Sequence, residues 1–350
     1  MMKTCMKVKN NYVSINAIFK ELGYIVFYNE QKKMIISISK EGNYISHQIG
    51  TNVMNINKKN YEFNKSSIFE KGTIMIPTNY IDKVLNLRFK LNESGKDLKT
   101  EKNNKSYIFQ FIAEPYFNPE KFYQYIKYNK DNELPINEIV IHVNIGLDQP
   151  FYTNIKTIND PHNFLVLCNK YRQLPKSFRP LNLVKIPSTY FLGDRDAKID
   201  ATALEHLILM RNDAQKKGLE LIIVSGYRTN SYQRMLYNNS KETKGIEHAD
   251  TYSARPGHSE HETGFAIDIN SVETTFENTK EFEWLVKNSY KYGYILRYPK
   301  GKEHITGYGY EPWHYRFLGI LTATAVYKSG LTYDEYYVQN IYKNNYTTNF

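Results

Sequence analysis

Two segments of the C-terminal half concentrate side chains that could bind a metal ion and move a proton. Residues 256–269 read Pro-Gly-His-Ser-Glu-His-Glu-Thr-Gly-Phe-Ala-Ile-Asp-Ile and contain His261 and Asp268. Residues 307–316 read Gly-Tyr-Gly-Tyr-Glu-Pro-Trp-His-Tyr-Arg and contain Glu311 and His314. A catalytic zinc ion takes three protein ligands and leaves a fourth position for water. Two histidines and one aspartate satisfy that count.

The first segment has the pattern of a strand with one apolar face. Phe265, Ile267 and Ile269 alternate with Ala266 and Asp268, and side chains of a strand point alternately to its two sides. Asp268 is therefore expected to face away from the isoleucines, where a carboxylate inside a domain must be paired, hydrogen-bonded or metal-bound. The glycine at position 264 allows a turn, so that the preceding His261 and Asp268 can converge on one point.

The second segment supplies the remaining groups. Glu311 and His314 flank Pro312, which limits the backbone freedom of the turn that presents them. A carboxylate that is not itself a ligand can take a proton from a metal-activated water. Glu311 fits that role, since it lies three residues from His314.

Each of these motifs is weak evidence alone. A His-x6-Asp pair often arises by chance, and Glu-Pro-Trp-His could be a turn with a purely structural role. Their occurrence in order, after Ser-Gly-Tyr-Arg at 225–228, is specific. Together they closely resemble the zinc D-alanyl-D-alanine carboxypeptidases of the VanY type, which also include LD-carboxypeptidases. The resemblance runs from about residue 163 to 331 and includes 169–171, 180–184 and 296–302, with no departure at the metal and base positions.

The resemblance implies a role for each matching residue. His261, Asp268 and His314 would bind one zinc ion and Glu311 would be the catalytic base. Arg228 would stabilise the oxyanion, with a salt bridge that orders its turn as the alternative. The positions matching substrate contacts are Ser259, Gln233 and Trp313. Gln233 could instead be an exposed helix residue, and Trp313 could simply be packed.

Other histidines of the chain are not expected to bind the metal. His258 lies close to the first segment, but its position is variable in the family. His248 and His304 are interpreted as surface residues. His142, within the apolar run 139–143, is interpreted as a packed core residue, and the lone His47 does not make a metal site.

The function implied is hydrolysis of the terminal D-alanine from the peptide stems of bacterial cell wall. LD-carboxypeptidase action on tetrapeptide stems shares the same motifs, so it stays open, as does an endopeptidase of the lysin type. A different class of protein, a catalytically silent wall-binding protein, is disfavoured because Glu311 and all three ligands are present. Activity on peptidoglycan stems implies an extracellular or cell-wall-associated location, although Met1–Asn10 has no apolar stretch typical of a secretory signal.

The first hundred residues contain a weak internal repeat. A short helix opened near Ser14 is followed by a strand at 24–28, and a second copy would open near Pro77, with a helix at 81–85 and a strand at 87–91. Further strands are expected at 34–39 and 45–49. Residues 11–111 resemble the small domain first described at the N-terminus of copper amine oxidases. That resemblance brings no copper chemistry, since His47 is the one histidine of the region.

The rest of the chain is expected to alternate helices and strands. Residues 112–160 form a bridging segment, with an amphipathic helix around 122–126 and a buried strand at 139–143. In the domain 161–340, helices are expected at 201–217, 282–292 and 317–329, each followed by glycine, and a strand at 221–224. The fold class is therefore α+β, with a peptidase domain built on a small central antiparallel sheet flanked by helices and a small N-terminal α+β accessory domain.

Composition excludes several other classes. The 350 residues carry a net charge of +10 and are 41% hydrophobic, with no run long enough to span a membrane. Basic residues are scattered singly, without the clustered stripe that favours nucleic acid. The charge is therefore interpreted as a source of solubility and of a general preference for anionic surroundings, with anionic wall polymers as candidate partners besides the stem peptides. The two cysteines, Cys5 and Cys168, form neither a disulfide scaffold nor a CxxC pattern, and Cys168 lies in an apolar run that indicates a buried thiol.

Overall fold

The computed structural model describes residues 12–70, 72–80, 104–192 and 197–348. These residues form two compact units. The first comprises the chain up to Val143 together with the segment from Lys343, and the second comprises Asn144–Tyr342. The bridging segment predicted at 112–160 is thus divided, with 112–143 in the first unit and 144–160 in the second.

The described part of the first unit is built from short antiparallel strands and helices. Its first eight strands are β1 (Tyr12–Ser14), β2 (Tyr24–Asn29), β3 (Met34–Ser39), β4 (Tyr44–Gln48), β5 (Val53–Ile56), β6 (Lys59–Glu62), β7 (Ile68–Glu70) and β8 (Thr73–Pro77). Strands β2 to β6 form one antiparallel sheet in sequence order, and β1, β8 and β7 form a second. The helices are α1 (Ile15–Glu21), α2 (Asn104–Ala113), α3 (Phe122–Asp131) and α4 (Ile136–Ile145).

The first copy of the predicted repeat is present. Helix α1 begins after Ser14, whose Oγ accepts a hydrogen bond from the backbone N–H of Ala17, and β2 follows as expected. The strands predicted at 34–39 and 45–49 correspond to β3 and β4. The helix and strand predicted at 81–85 and 87–91 lie outside the described residues.

The strand predicted at 139–143 is wrong, because this run lies inside α4. Ile139, Val140 and Val143 are buried against the aromatic core of the first unit. A short apolar run has no periodicity that separates a buried strand from a buried helix. His142 is buried within α4, with Nδ1 3.3 Å from the Tyr128 hydroxyl, which agrees with a packed core residue.

The second unit contains a central sheet with helices around it. Its strands are β9 (Lys156–Thr157), β10 (Arg172–Gln173), β11 (Leu183–Lys185), β12 (Lys198–Asp200), β13 (Ile223–Ser225), β14 (Ala266–Ile269), β15 (Tyr294–Leu296) and β16 (His314–Phe317). Its helices are α5 (Ala201–Gln215), α6 (Asn230–Lys244), α7 (Ile246–Tyr252), α8 (Lys280–Asn288), α9 (Glu303–Thr306), α10 (Gly319–Ser329) and α11 (Tyr333–Tyr336). The central sheet is antiparallel, in the order β13-β14-β16-β15.

The predicted helices of this unit are found with small shifts. Helix α5 begins after Asp200, whose side chain caps the N–H groups of Thr202 and Ala203. Helix α8 continues as a 3₁₀ turn to Tyr292. Helix α10 begins at Gly319, two residues later than predicted, because Phe317 ends strand β16. The α+β fold class is confirmed.

One face of the central sheet carries the apolar core of the second unit. Ile267 and Ile269 of β14 and Tyr315 and Phe317 of β16 pack with Leu207 of α5 in one cluster. The intervening positions, including Asp268 and His314, therefore face the opposite side. No helix in the described part of the chain is both long and apolar enough to cross a bilayer.

Candidate active site

The register of the central sheet brings the predicted metal ligands together. Asp268 of β14 and His314 of β16 are direct partners across the antiparallel pair. Ser225, at the end of β13, is the partner of Asp268 on its other side. A carboxylate, an imidazole and the chain leading to Arg228 therefore meet at one place on the sheet.

His261 reaches the same point from a buried 3₁₀ turn, Glu260–Thr263. The turn ends at Gly264, whose φ of +81° lies in the left-handed region that glycine adopts without strain. His261 Nδ1 lies 2.8 Å from the carbonyl oxygen of Gly226, so this nitrogen carries the proton and donates it there. The unprotonated Nε2 is left facing Asp268 Oδ2, at 3.3 Å.

His314 is oriented by carboxylates on both sides. Its Nδ1 lies 3.4 Å from Asp268 Oδ1 and 3.5 Å from Glu311 Oε2, and its Nε2 lies 3.5 Å from Glu260 Oε2. Burial would lower the pKa of His314, but the contacts with Asp268 and Glu260 outweigh it and raise that pKa to about 9. Two of these three acids are also paired with arginines: Asp268 with Arg228, and Glu260 with Arg297 and Arg316.

The three predicted ligands fit a zinc ion by their own arrangement. His261, Asp268 and His314 are buried, and each offers a ligand atom within 4.8 Å of the others. Asp268 Oδ1 is buried and has no hydrogen-bond partner among the described residues, which is costly unless something else satisfies it. Burial, followed by the nearby Arg228 charge, lowers the pKa of His261 to about 4. Its imidazole is therefore neutral, as a metal ligand must be.

Glu311 lies beside this cluster in the turn that leads into β16. Its backbone N–H bonds to the Tyr298 carbonyl, and its own carbonyl accepts from the N–H of His314. Burial, opposed by His314 and reinforced by the negative charge of Asp268, raises the pKa of Glu311 to about 7. A carboxyl group with that pKa can both accept and donate a proton near neutral pH.

Arg228 follows β13 and points back to the ligands. Its Nη2 lies 2.8 Å from Asp268 Oδ2, and its guanidinium also bonds to Ser225 Oγ. The backbone N–H of Arg228 donates to the His261 carbonyl. The salt bridge considered as the alternative role is therefore present, and the side chain also lines the cavity in front of the metal cluster.

The predicted substrate-contacting residues line the same cavity, whose volume is about 390 Å³. Gln233 is 1% exposed, so the interpretation as an exposed helix residue is wrong: the face of α6 that carries it turns inward. Its Oε1 lies 3.5 Å from Arg228 Nη1, and its Nε2 donates to the Ala254 carbonyl. Ser259 is buried at the wall, and Trp313 both lines the cavity and packs on the apolar core.

The sequence analysis missed two residues of this site. Glu260 is fully buried between the ligands and two arginines, and a signal for it was available: Arg316 shares a strand face with His314, and a buried arginine needs an acidic partner. His248 is half-buried and lines the cavity, so its interpretation as a surface residue is wrong. It lies on α7, whose approach to the site only the tertiary structure defines.

The remaining candidates agree with their predicted roles. His258 is buried with Nδ1 2.8 Å from the Asn169 carbonyl and does not belong to the ligand cluster. His304 is exposed. His47 contacts the Val53 carbonyl and Ser67 Oγ within the first unit. Cys168 is buried, and burial raises the pKa of its thiol, so it is an inert core thiol.

Two known protein families match parts of this chain. Residues 196–320 match the VanY family, described as D-alanyl-D-alanine carboxypeptidase, and residues 1–100 match the copper amine oxidase N-terminal domain. The chain is 39% identical over 207 residues to the putative carboxypeptidase YodJ of Bacillus subtilis, covering 55% of this chain and 76% of that protein.

Two further relatives extend the comparison. The bifunctional D-Ala-D-Ala dipeptidase and carboxypeptidase VanXYC of Enterococcus gallinarum is 33% identical, covering 50% of this chain and 94% of that protein. The solved LdcB LD-carboxypeptidase is 39% identical, with a TM-score of 0.51, covering 53% of this chain and 91% of that chain.

The sequence identity to these relatives extends over most of their length. The chain also contains a buried His-Asp-His cluster with a carboxyl group beside it. The protein belongs to the VanY family of zinc-dependent carboxypeptidases and is a hydrolytic metallopeptidase.

Proposed function

We propose that the protein removes the C-terminal D-alanine from the peptide stems of peptidoglycan. The observation that carries this proposal is the buried cluster of His261, Asp268 and His314 at the base of a cavity, with Glu311 3.5 Å from His314. The names of the family and of VanXYC point to the same bond.

The ligand set would be His261 Nε2, an Asp268 oxygen and His314 Nδ1. His261 Nδ1 is already committed to the Gly226 carbonyl, and His314 Nδ1 is the nitrogen that faces Asp268. When bound, zinc would acidify a water molecule and polarise the peptide carbonyl.

Glu311 would act as the base and later as the acid. It would accept a proton from the attacking water and return it to the nitrogen of the departing D-alanine, a double role suited to a pKa near 7. Arg228 would donate to the oxygen on which negative charge develops. Asp268 and Ser225 would hold its guanidinium in place for this interaction.

Ser259 and Gln233 would bind the terminal residue of the stem and its carboxylate. Both residues line the cavity, and Gln233 contacts Arg228 directly. The residue that would bind the substrate carboxylate is therefore hydrogen-bonded to the residue that would stabilise the oxyanion. Trp313 would shape the wall.

LD-carboxypeptidase activity on tetrapeptide stems is the second candidate. It is favoured by the solved LdcB LD-carboxypeptidase, which is 39% identical and has the same fold over this half of the chain. The two activities share ligands and base, and they differ in which residue precedes the released D-alanine.

The deciding experiment measures D-alanine release from synthetic stem peptides that end in D-Ala-D-Ala or in L-Lys-D-Ala. Each peptide is incubated with the zinc-loaded protein, with the chelated protein and with Glu311→Ala as the blank. Zinc-dependent release that disappears in Glu311→Ala is expected, and the preferred peptide identifies the activity. No release from either peptide by a zinc-loaded protein would contradict the proposal and favour an endopeptidase or a wall-binding protein.

The setting of this activity follows from its substrate. Peptidoglycan stems lie outside the cytoplasmic membrane, so we propose an extracellular or wall-associated location, with anionic wall polymers attracted by the net charge of +10 and no nucleic-acid partner. The boundaries 11–111, 112–160 and 161–340 stay a prediction. For the N-terminal domain, binding to the wall, binding to a partner and a role as a spacer all stay open.

A further inference from the structure

Glu260 is a buried acid with no part in the ligand set. It follows Ser259 and precedes His261, and its side chain is completely inaccessible to solvent. Its Oε1 accepts hydrogen bonds from Arg297 Nε and Arg316 Nη1, each at 2.8 Å. An acid buried to this extent is costly unless it is fully paired, yet its second oxygen, Oε2, has no hydrogen-bond partner among the described residues.

The unpaired oxygen faces the outer nitrogen of a metal ligand. Glu260 Oε2 lies 3.5 Å from His314 Nε2, and Nε2 likewise lacks a hydrogen-bond partner in the described parts of the chain. When Nδ1 gives its lone pair to a metal, Nε2 must carry the ring proton. A carboxylate at that position accepts the proton, fixes the ring orientation and makes the ligand more basic.

The two arginines hold this carboxylate in place from behind. Arg316 is two residues beyond His314 on β16, and its Nη2 also donates to the carbonyls of Phe164 and Val166. Arg297 is fixed by a second acid, Asp334 of α11, at 2.7 Å. The carboxylate of Glu260 is thus held in place by a network of buried ion pairs that extends to α11.

We infer that Glu260 is a positioning residue for the metal centre: it fixes the tautomer and orientation of His314 by accepting its Nε2–H, and the Arg297–Arg316 pair holds it there. This inference rests on the metal site proposed above. It gives the buried arginines a role in zinc affinity, although neither of them lines the cavity itself.

The first test compares zinc affinity in Glu260→Gln and Asp334→Asn. Glutamine keeps the shape and one acceptor for the arginines, but it cannot offer a charged acceptor to His314 as well. Asp334→Asn removes a carboxylate of the same network that does not touch His314, so it is the matched control. Affinity is measured by competition with a chromophoric chelator, and folding by thermal unfolding of the metal-free proteins.

Zinc binding is expected to weaken about 10–100-fold in Glu260→Gln and by a smaller factor in Asp334→Asn, where Arg316 still holds the Glu260 carboxylate. Unchanged affinity in a folded Glu260→Gln would overturn the inference, and so would equal losses in both variants, because those would indicate general damage to the unit. Failure of the wild-type protein to bind zinc would instead contradict the proposed function.

A second measurement needs no variant and decides the matter if Glu260→Gln does not fold. Long-range ¹H–¹⁵N correlation of the histidine side chains in the zinc-loaded wild-type protein identifies the metal-bound and the protonated nitrogen of each ring. His314 is expected to bind zinc through Nδ1 and to show a downfield, exchange-protected Nε2–H. Metal on Nε2, or an Nε2–H that exchanges rapidly with water, would overturn the inference.

Discussion

Asp268 and His314 are paired across two antiparallel strands, with Asp268 Oδ1 and His314 Nδ1 3.4 Å apart. Because strand pairing fixes the separation of directly opposite residues, two of the proposed ligands are held by backbone hydrogen bonds and not by flexible loops. His261 is added from the turn just before the same strand, β14. The site is therefore largely formed before any metal binds.

Zinc should stabilise the folded protein measurably. Binding only to the folded state contributes about 2.7 kcal/mol at a hundredfold excess over Kd, which corresponds to a rise in Tm of roughly 5–10 °C for a unit of this size. Calorimetry with and without chelator measures the effect. His261→Ala, which lacks one ligand, should show no zinc-dependent rise, and a wild-type Tm insensitive to zinc would contradict the proposed metal site.

Replacing Glu311 with glutamine should separate metal binding from catalysis. The amide keeps the size of the side chain but cannot take up a proton, so we expect kcat to fall about 10²–10⁴-fold while one zinc ion remains bound. Metal analysis and D-alanine release measure the two effects. The matched control is Glu283→Gln, an exposed acid of the same unit that pairs with Lys287. Retained kcat in Glu311→Gln would exclude its role as the base.

Arg228→Lys should reduce kcat more than it raises KM. Lysine keeps the charge but loses the planar fork that bonds to Asp268 and Ser225 together. Loss of one oxyanion donor costs about 10²–10³-fold in kcat. Arg255→Lys is the control, since Arg255 makes a comparable two-point contact with Asp250. Equal kinetic losses in both variants would indicate that Arg228 only orders its turn.

Lys170 should make stability depend on pH in the alkaline range. Its ammonium donates to the Asp250 carbonyl and lies 4.6 Å from the Tyr308 ring centre. Burial lowers the pKa of Lys170 from 10.5 to about 8. Between these two values the unfolded chain binds more protons, so stability gained from this group rises with pH.

The measurement is urea unfolding of chelated wild-type and Lys170→Met proteins from pH 7 to 10.5. The wild-type free energy of unfolding, minus that of the variant, should increase above pH 8 by less than the roughly 3 kcal/mol that the whole pKa shift represents. The subtraction removes the contribution of tyrosines common to both proteins. A difference that is flat across this range would contradict the expectation.

Periodicity and turn chemistry made much of the fold predictable from local sequence. Alternation in 265–269 placed Asp268 opposite the apolar face, and the cap at Ser14 and the glycines after the helices marked real boundaries. The run 139–143 was misassigned because apolar composition on all sides carries no period. The role of Gln233 was left open between a substrate contact and an exposed helix residue. Its burial depends on what packs against that face of the helix, and the sequence of the helix does not specify this.

The sequence by itself determined the reaction class and was enough to propose the ligand types and the base, because these depend on residue chemistry and on spacing within two short segments. Only the tertiary structure decided which nitrogen of each histidine is available, since that depends on the Gly226 carbonyl and on Glu260. It also decided that Glu260, Arg297, Arg316 and Asp334 form one buried network. These partners lie up to 74 residues apart in the sequence. Buried charges so far apart in the chain are brought together by strand register and helix packing, and no local sequence pattern encodes either of these.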